Sequence, residues 1–248
     1  MLYEINKALE SFRHPGISTN FTKLTRNAAP YYLPFLSVKT PLTIYWSINS
    51  ICNLRCKMCD VGTADEEGTF YKNLRIDKVL HEVSIDKFKS VIDCVYQDKP
   101  HISFNSTEPL IYKKIGEAIE YCTSKNLESS VTTGGYLLPK KAAELAEAGL
   151  TRLNVSIDGP AEIHNVIRGR KDSFERDVEG IKLFAEESKK RGLNSEIYVN
   201  CTISNLNNQY IVPFVEEMST LPISKINFAF LWYIDQKMAE EQNQQFGR

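Results

Sequence analysis

Three cysteines stand close together behind an apolar run near the start of the chain. Cys52, Cys56 and Cys59 are spaced C-x3-C-x2-C, and the apolar run at 43–48 before them is typical of a strand. Iron–sulfur clusters and structural zinc normally take four protein ligands, and the next cysteine, Cys94, falls on a predicted helix. The trio therefore indicates a metal centre with one ligand position left open, which is where chemistry can occur.

Two alternatives for these cysteines remain open. A zinc site could complete its ligands with a histidine, and His81 and His101 are candidates by residue type. Zinc motifs usually come as two paired half-sites, whereas this sequence has one. A redox pair made of Cys56 and Cys59 would leave Cys52 without a role.

The cysteine spacing, with Met58 before the last cysteine, resembles that of the radical S-adenosylmethionine (radical SAM) superfamily. The resemblance implies a [4Fe–4S] cluster on Cys52, Cys56 and Cys59, which would be both its metal-binding and its catalytic residues. It also implies that the amino and carboxylate groups of SAM bind the fourth iron. One electron then splits SAM into methionine and a 5′-deoxyadenosyl radical, so the cofactors carry the difficult chemistry. Met58 is expected near the adenine.

Two strand ends further along the chain resemble segments that bind SAM in this superfamily. Residues 105–109 are similar to its Gly-Gly-Glu-Pro segment, in which Glu108 would hold the SAM amino group, and residues 132–135 resemble its Thr-Asn-Gly turn. Ser106 and Thr107 replace both glycines, and glycine lets a ligand approach the backbone closely. We expect both side chains to point away from SAM; otherwise their hydroxyls must replace backbone contacts.

Two further segments complete the resemblance. Residues 154–159 resemble a strand end at which Ser156 would reach the methionine or ribose part of SAM. Residues 163–169 are similar to a segment whose arginine helps to hold the SAM carboxylate, and Arg168 is preferred to Arg170 for this role. The implied partners are a reductant protein, such as a flavodoxin or ferredoxin, and an unidentified small-molecule or peptide substrate.

From residue 41 onward, strand and helix patterns alternate along the chain. The predicted strands are 42–48, 100–105, 127–133, 151–157, 195–203 and 224–231, and the predicted helices are 84–97, 109–125, 138–148, 173–191 and 207–219. Ser84 and Ser173 are predicted N-caps, and Gly149 and Gly192 are predicted at helix C-termini. This alternation predicts a parallel sheet wound by right-handed crossovers.

Most of these strands have one aliphatic and one polar face, as along 153–158 and 197–203. Parallel strands that are buried on both faces are usually apolar throughout, so we expect the polar faces to line a ligand cavity, which Asn200 would face. The predicted fold class is α/β, a partial (β/α)6 TIM-like barrel of the radical SAM type with a short N-terminal helical lead-in. The alternative is a sheet with one solvated face.

Composition limits the classes of partner. The chain has 248 residues and a net charge of −1, and its longest basic cluster, 189–191, is expected to complement a helix C-terminus, so no nucleic-acid partner is predicted. There is no apolar run long enough to span a membrane. Residues 1–12 predict an amphipathic helix rather than a signal peptide. We therefore expect a cytoplasmic protein without a membrane partner.

The predicted organisation is a lead-in at 1–40, a radical SAM core at 41–235 and a tail at 236–248. Cys94, Cys122 and Cys201 are expected to pack in the core. Relatives with a segment like 163–169 often carry a cysteine-rich extension with auxiliary clusters, whereas no cysteine follows Cys201 here. We therefore expect either a minimal member or a truncated piece. A degenerate fold that binds a cluster or a partner without turnover is the alternative function.

Overall fold

The structure is a computed structural model that describes residues 41–74 and 79–230 together with Gln236, Lys237, Glu240 and Gln244. The chain forms two compact units, Met1–Thr43 and Ile44–Arg248, and the second carries the candidate site and the sheet apart from Thr43. The predicted lead-in at 1–40 and most of the predicted tail at 236–248 lie outside the described residues. The predicted domain limits therefore stay predictions.

Six strands form one sheet in the order in which they occur along the chain. They are β1 Thr43–Trp46, β2 His101–Phe104, β3 Ser129–Thr133, β4 Arg152–Ser156, β5 Glu196–Ile203 and β6 Lys225–Phe230. Strands β2 to β6 pair in parallel with their neighbours, for example Val155 with Val199. The predicted α/β fold with six sequential parallel strands is confirmed.

Helices connect the strands. They are α1 Asp60–Thr63, α2 Thr69–Leu74, α3 Ile85–Val95, α4 Ile115–Ser124, α5 Leu138–Glu147, α6 Ala161–Arg168, α7 Ser173–Lys190 and α8 Ile211–Met218. Short 3₁₀ turns lie at Tyr96–Asp98, Pro109–Ile111 and Asn208–Tyr210. The helix predicted at 109–125 is therefore two elements. Its break lies at Tyr112, which is extended and buried with its hydroxyl donating to the Val83 carbonyl (2.9 Å).

Helices α1, α2 and α6 were not predicted. Helix α6 spans eight residues and overlaps the segment 163–169 that resembles a SAM-binding segment, and it is followed by Gly169 with a left-handed φ of +70°. Its buried face carries His164, Ile167 and Arg168. Because two of these three are polar, the apolar pattern that signals a helix was absent from the sequence.

The predicted helix ends are mostly correct. The Ser84 hydroxyl accepts a hydrogen bond from the Lys87 N–H (3.3 Å), which confirms this N-cap. Gly149 and Gly192 each follow a helix with a left-handed φ, as predicted. The prediction for Ser173 is wrong, because this residue is the first of α7 and its hydroxyl is buried.

The core lies between the helices and the apolar face of the sheet. Cys122 and Cys201 are buried in it as predicted, but Cys94 is exposed. The error at Cys94 has a simple cause: α3 buries Ile85, Phe88 and Ile92, and two residues beyond Ile92 a helix has turned by about 200°.

The opposite face of the sheet is polar, as the alternation predicted. Its side chains form hydrogen bonds from strand to strand, namely Ser130 to Ser103 (3.2 Å), Asn154 to Thr132 (3.3 Å) and Asn227 to Asn200 (2.9 Å). These bonds satisfy the side chains without the apolar packing that a buried parallel sheet normally has.

No helix in the described part of the chain combines the length and the apolar character that crossing a bilayer requires.

Gly149 and Gly192 offer a matched pair of alanine substitutions. Both have a left-handed φ (+84° and +67°), a region that costs other residues about 1–2 kcal/mol. At Gly149 an added Cβ would lie 2.9 Å from Thr123 Cγ2, whereas at Gly192 it would meet nothing within 4 Å. Gly149→Ala should therefore lower the free energy of unfolding in urea more than Gly192→Ala. Equal losses would mean that Thr123 moves aside without cost.

Candidate functional site

A cavity of about 270 Å³ lies at the carboxyl ends of β2 to β5. It lies beside residues 52–59, which follow β1 and carry the three cysteines, and which are called the cysteine loop below. Its walls contain most of the site residues predicted from sequence. Those residues are Cys52, Cys56, Met58, Cys59, Ser106, Thr107, Glu108, Ser156 and Arg168. Asn200 is not among the lining residues, and its amide oxygen accepts from Asn227 instead. Thr202, two residues further along β5, lines the cavity in its place.

Backbone hydrogen bonds attach the cysteine loop to the end of α6. The Arg55 N–H donates to the Arg168 carbonyl (3.2 Å), and the Lys57 N–H donates to the Ile167 carbonyl (2.9 Å). Within the loop, the Cys59 N–H donates to the Cys56 carbonyl (3.1 Å). The conformation of the cysteine loop thus depends on a helix more than a hundred residues away.

Two glycines allow the loop to pack this closely. A Cβ on Gly62 would lie 2.6 Å from the Cys56 nitrogen, and a Cβ on Gly169 would lie 2.8 Å from the Arg55 carbonyl oxygen. Distances this short do not occur between a real Cβ and backbone atoms. Both positions therefore need glycine as long as the loop keeps this path.

Among the three cysteines of the loop, Cys56 is buried and Cys52 and Cys59 are half-buried. Burial raises the pKa of Cys52 to about 11. Burial also raises the pKa of Cys56, although the charge and the hydrogen bond of Arg168 act against this increase. Thiols of this kind become thiolates when a metal replaces the proton. Three cysteines that share one cavity wall therefore fit a thiolate-bound iron–sulfur cluster in the chemistry of their donor atoms.

A single metal ion makes a different geometric demand. All sulfur ligands of a zinc ion lie about 2.3 Å from that one ion, whereas each thiolate of an iron–sulfur cluster binds a different iron atom. Across residues 41–74 and 79–230 and the few described beyond them, no set of three His, Cys, Asp or Glu is arranged to hold one ion. The two histidines considered for zinc do not line the cavity, and the His101 ring bonds to the Ser130 hydroxyl (2.8 Å).

Glu108 lies in the cavity wall and is almost fully buried. Its carboxylate accepts hydrogen bonds from the Leu110 N–H (3.0 Å), the Thr133 hydroxyl (2.8 and 2.9 Å) and the Gly134 N–H (2.9 Å). Burial raises the pKa of Glu108, and these bonds partly offset the increase. A carboxylate has about four acceptor positions, so capacity remains for one more donor.

The two residues that stand in place of glycines behave differently. Ser106 is exposed and has φ +81°, a left-handed conformation that glycine would adopt without strain. Its hydroxyl donates to the Asn105 side-chain oxygen (3.0 Å). The Thr107 hydroxyl lies 2.8 and 2.9 Å from the carbonyl and side-chain oxygens of Asn49. Both hydroxyls thus have partners within the protein.

Arg168 is the basic residue of the cavity wall, and only 8% of its surface is exposed. One nitrogen, Nη2, lies 2.7 Å from Asp158 Oδ2, and Nη1 lies 3.5 Å from Cys56 Sγ. Burial works against the charge of Arg168, but Asp158 and Cys56 outweigh it and raise the pKa of the guanidinium. Arg170 lies outside this wall, and its exposed side chain donates to the Asn53 carbonyl (2.9 Å).

Asp158 is held by three elements. Its Oδ1 accepts from the Thr202 N–H (2.9 Å), and its carbonyl accepts from the Asn207 side chain (2.7 Å). Its N–H donates to His164 Nδ1 (3.1 Å). His164 Nε2 in turn lies 3.0 Å from Asp177 Oδ2, and both side chains are completely buried. Burial lowers the pKa of His164 and raises that of Asp177.

Sequence reasoning missed several of these residues. Thr133 and Asp158 lie inside segments that resemble SAM-binding segments, but the resemblance implies no role for either residue. The position of His164 in the sequence has no spacing that indicates a metal site. Asp177 carried no signal, since an acidic residue on a helix is ordinarily exposed.

The chain is similar to known proteins of one superfamily. The family model described as Radical SAM superfamily matches residues 46–211. The chain is 27% identical over 221 residues to the Fe-coproporphyrin III synthase of Methanosarcina barkeri, an alignment that covers 88% of this chain and 51% of that protein. It is 32% identical over 178 residues to the AdoMet-dependent heme synthase of the same organism, covering 71% of this chain and 46% of that protein.

A solved structure shows the same fold. SuiB of Streptococcus suis, bound to S-adenosylmethionine, aligns with a TM-score of 0.63 at 14% identity, over 99% of this chain and 58% of that chain. The chain spans about half the length of the curated relatives described above.

The two glycine replacements should affect stability in opposite directions. Ser106→Gly should raise the free energy of unfolding by about 1 kcal/mol, because glycine removes the left-handed strain at φ +81°. Thr107→Gly should lower it by about 1–2 kcal/mol, because Asn49 loses its hydroxyl partner. Thr107→Ser, which keeps the hydroxyl, is the control. Urea denaturation measures the free energy of unfolding of all three variants. A stabilising Thr107→Gly substitution would contradict the expected contribution of the Thr107 hydroxyl.

Proposed function

This chain belongs to the radical SAM superfamily, and from that premise we propose that it is an enzyme whose cavity binds a [4Fe–4S] cluster and SAM. Cys52, Cys56 and Cys59 would hold the cluster. Bound together, the two cofactors supply the reductive cleavage of SAM to a 5′-deoxyadenosyl radical that abstracts hydrogen from a substrate. A one-electron carrier of the flavodoxin or ferredoxin class is proposed as the reductant.

The charges in the cavity wall carry this proposal. Beside the three thiols, the wall has one buried carboxylate, Glu108, and one buried guanidinium, Arg168. The methionine part of SAM has an ammonium and a carboxylate, so the two side chains complement it. Glu108 keeps acceptor capacity for the ammonium after its three protein donors are counted.

The remaining wall residues have proposed positions around the same ligand. Ser156 would reach the methionine or ribose part, and Met58 would pack near the adenine. The hydroxyls of Ser106 and Thr107 would not contact SAM, because they are hydrogen-bonded to Asn105 and Asn49, respectively.

Porphyrins are the first substrate class to test. Two curated relatives are named for the synthesis of Fe-coproporphyrin III and of heme, both of which are porphyrins. Because the chain spans only about half of each relative, its substrate is a proposal drawn from those names alone. The alternative is a fold that binds the cluster without turnover. The cytoplasmic location expected from the sequence stays a prediction.

Iron binding tests the ligand set. After anaerobic reconstitution, the full chain should hold about four irons, as one [4Fe–4S] cluster requires. Cys52→Ala, Cys56→Ala and Cys59→Ala should each remove the iron–sulfur absorbance. Cys94→Ser is the control, since this cysteine is exposed and outside the cavity wall. A cluster retained in Cys56→Ala would disprove the assignment, and eight irons would indicate a second cluster.

Turnover of SAM tests the enzyme against the alternative without turnover. The reconstituted chain, reduced with dithionite in the absence of oxygen, should convert SAM slowly to 5′-deoxyadenosine, detected by liquid chromatography and mass spectrometry. The EPR spectrum of the reduced cluster should change when SAM is added. Cys56→Ala should give neither signal. If the cluster is present but both signals are absent, the alternative is correct.

A further inference from the structure

A chain of buried polar contacts leads from the core of the protein to the cysteine loop. It runs from Asp177 to His164, from His164 to the Asp158 N–H, and from the Asp158 carboxylate to Arg168. The last contact is the one between Arg168 Nη1 and Cys56 Sγ (3.5 Å). Arg168 is 8% exposed, and the three residues before it are fully buried.

The contacts define the proton on His164. Its Nδ1 accepts from the Asp158 N–H, so the proton of a neutral ring must be on Nε2. That nitrogen lies 3.0 Å from Asp177 Oδ2, but the two groups are not aligned as a hydrogen bond. Burial lowers the pKa of His164 and therefore supports the neutral form. The ring is thus hydrogen-bonded to the Asp158 backbone on one side and lies beside the Asp177 carboxylate on the other.

The same contacts fix the Arg168 guanidinium. The Asp158 side chain cannot turn away from Arg168 without losing the Thr202 N–H on its other oxygen. The His164 bond holds the Asp158 backbone from which that side chain projects. A guanidinium has five donors in a rigid plane. Holding one edge of this plane on Asp158 therefore determines where the other edge lies, and it lies on the sulfur of Cys56.

We propose that His164 and Asp158 are positioning residues that hold Arg168 on the Cys56 sulfur and so raise the reduction potential of the cluster bound there. The inference rests on the proposed cluster site. Hydrogen bonds to the sulfurs and nearby charge are known determinants of cluster potential. Reduction adds one electron and no proton, so it increases the negative charge beside Arg168. A donor with a positive charge at Cys56 stabilises that reduced form.

The test is a redox titration of the reconstituted full chain without SAM, followed by EPR of the reduced cluster. Arg168→Gln removes the charge at the sulfur, and we expect at least a tenfold smaller equilibrium constant for reduction, which is about 59 mV for one electron. Arg170→Gln is the matched control. It removes a cation that also contacts the cysteine loop, at the Asn53 carbonyl, but it does not contact the sulfur. This control should leave the potential unchanged.

Two substitutions of His164 separate positioning from simple packing. His164→Leu removes the acceptor for the Asp158 N–H and should lower the potential in the same direction as Arg168→Gln. His164→Asn can place its side-chain oxygen where Nδ1 lies, so it should restore most of the potential although it no longer reaches Asp177. A residue that served packing alone would change iron content or unfolding, and it would leave the potential of the assembled cluster as it was.

The outcomes distinguish this inference from the proposed function. A wild-type chain that binds no iron–sulfur cluster defeats the proposed function. With the wild-type cluster in place, equal potentials in Arg168→Gln and Arg170→Gln overturn the positioning role, as does an unchanged potential in His164→Leu. Loss of the cluster from every Arg168 and His164 variant also overturns it, because a positioning residue must leave the cysteine ligands able to bind.

Discussion

The buried ion pair of Arg168 with Asp158 is the interaction on which the candidate site depends. Moving a charged group out of water costs several kcal/mol of solvation free energy, and only close pairing with further hydrogen bonds compensates for this cost. Here the pair is 2.7 Å long, and the Thr202 N–H and the Asn207 side chain supply further bonds to Asp158. The ends of β4 and β5, helix α6 and the segment before α8 are therefore tied to one charged contact.

The position of the cysteine loop depends on the residues that make this ion pair. The carbonyls of Ile167 and Arg168 accept from its backbone, and the Arg168 side chain reaches the Cys56 sulfur. Gly62 and Gly169 permit the close approach. A loop without regular structure can thus present three thiols on one wall, since its backbone donors are satisfied by the end of a helix.

The buried carboxylate of Glu108, like the buried ion pair, is stabilised by hydrogen bonds from the protein. Glu108 is buried beside the thiols, and donors from the end of β3 keep its carboxylate solvated in place of water. Ser106 in a left-handed conformation and Thr107 bonded to Asn49 maintain the turn that presents it. Ser106 adopts a left-handed φ that glycine would adopt without strain, so the turn stores strain at this residue.

The sequence by itself determined the existence of the six strands, the approximate limits of five helical segments, the polar face of the sheet and the cysteine trio, because these follow from local periodicity and spacing. Only the tertiary structure decided that Asn200 bonds to Asn227 while Thr202 lines the cavity, and that Cys94 is exposed. It also revealed helix α6 and the contacts of His164 with Asp158 and Asp177. These features depend on partners distant in sequence and on side-chain direction, and neither leaves a periodic pattern in the residues themselves.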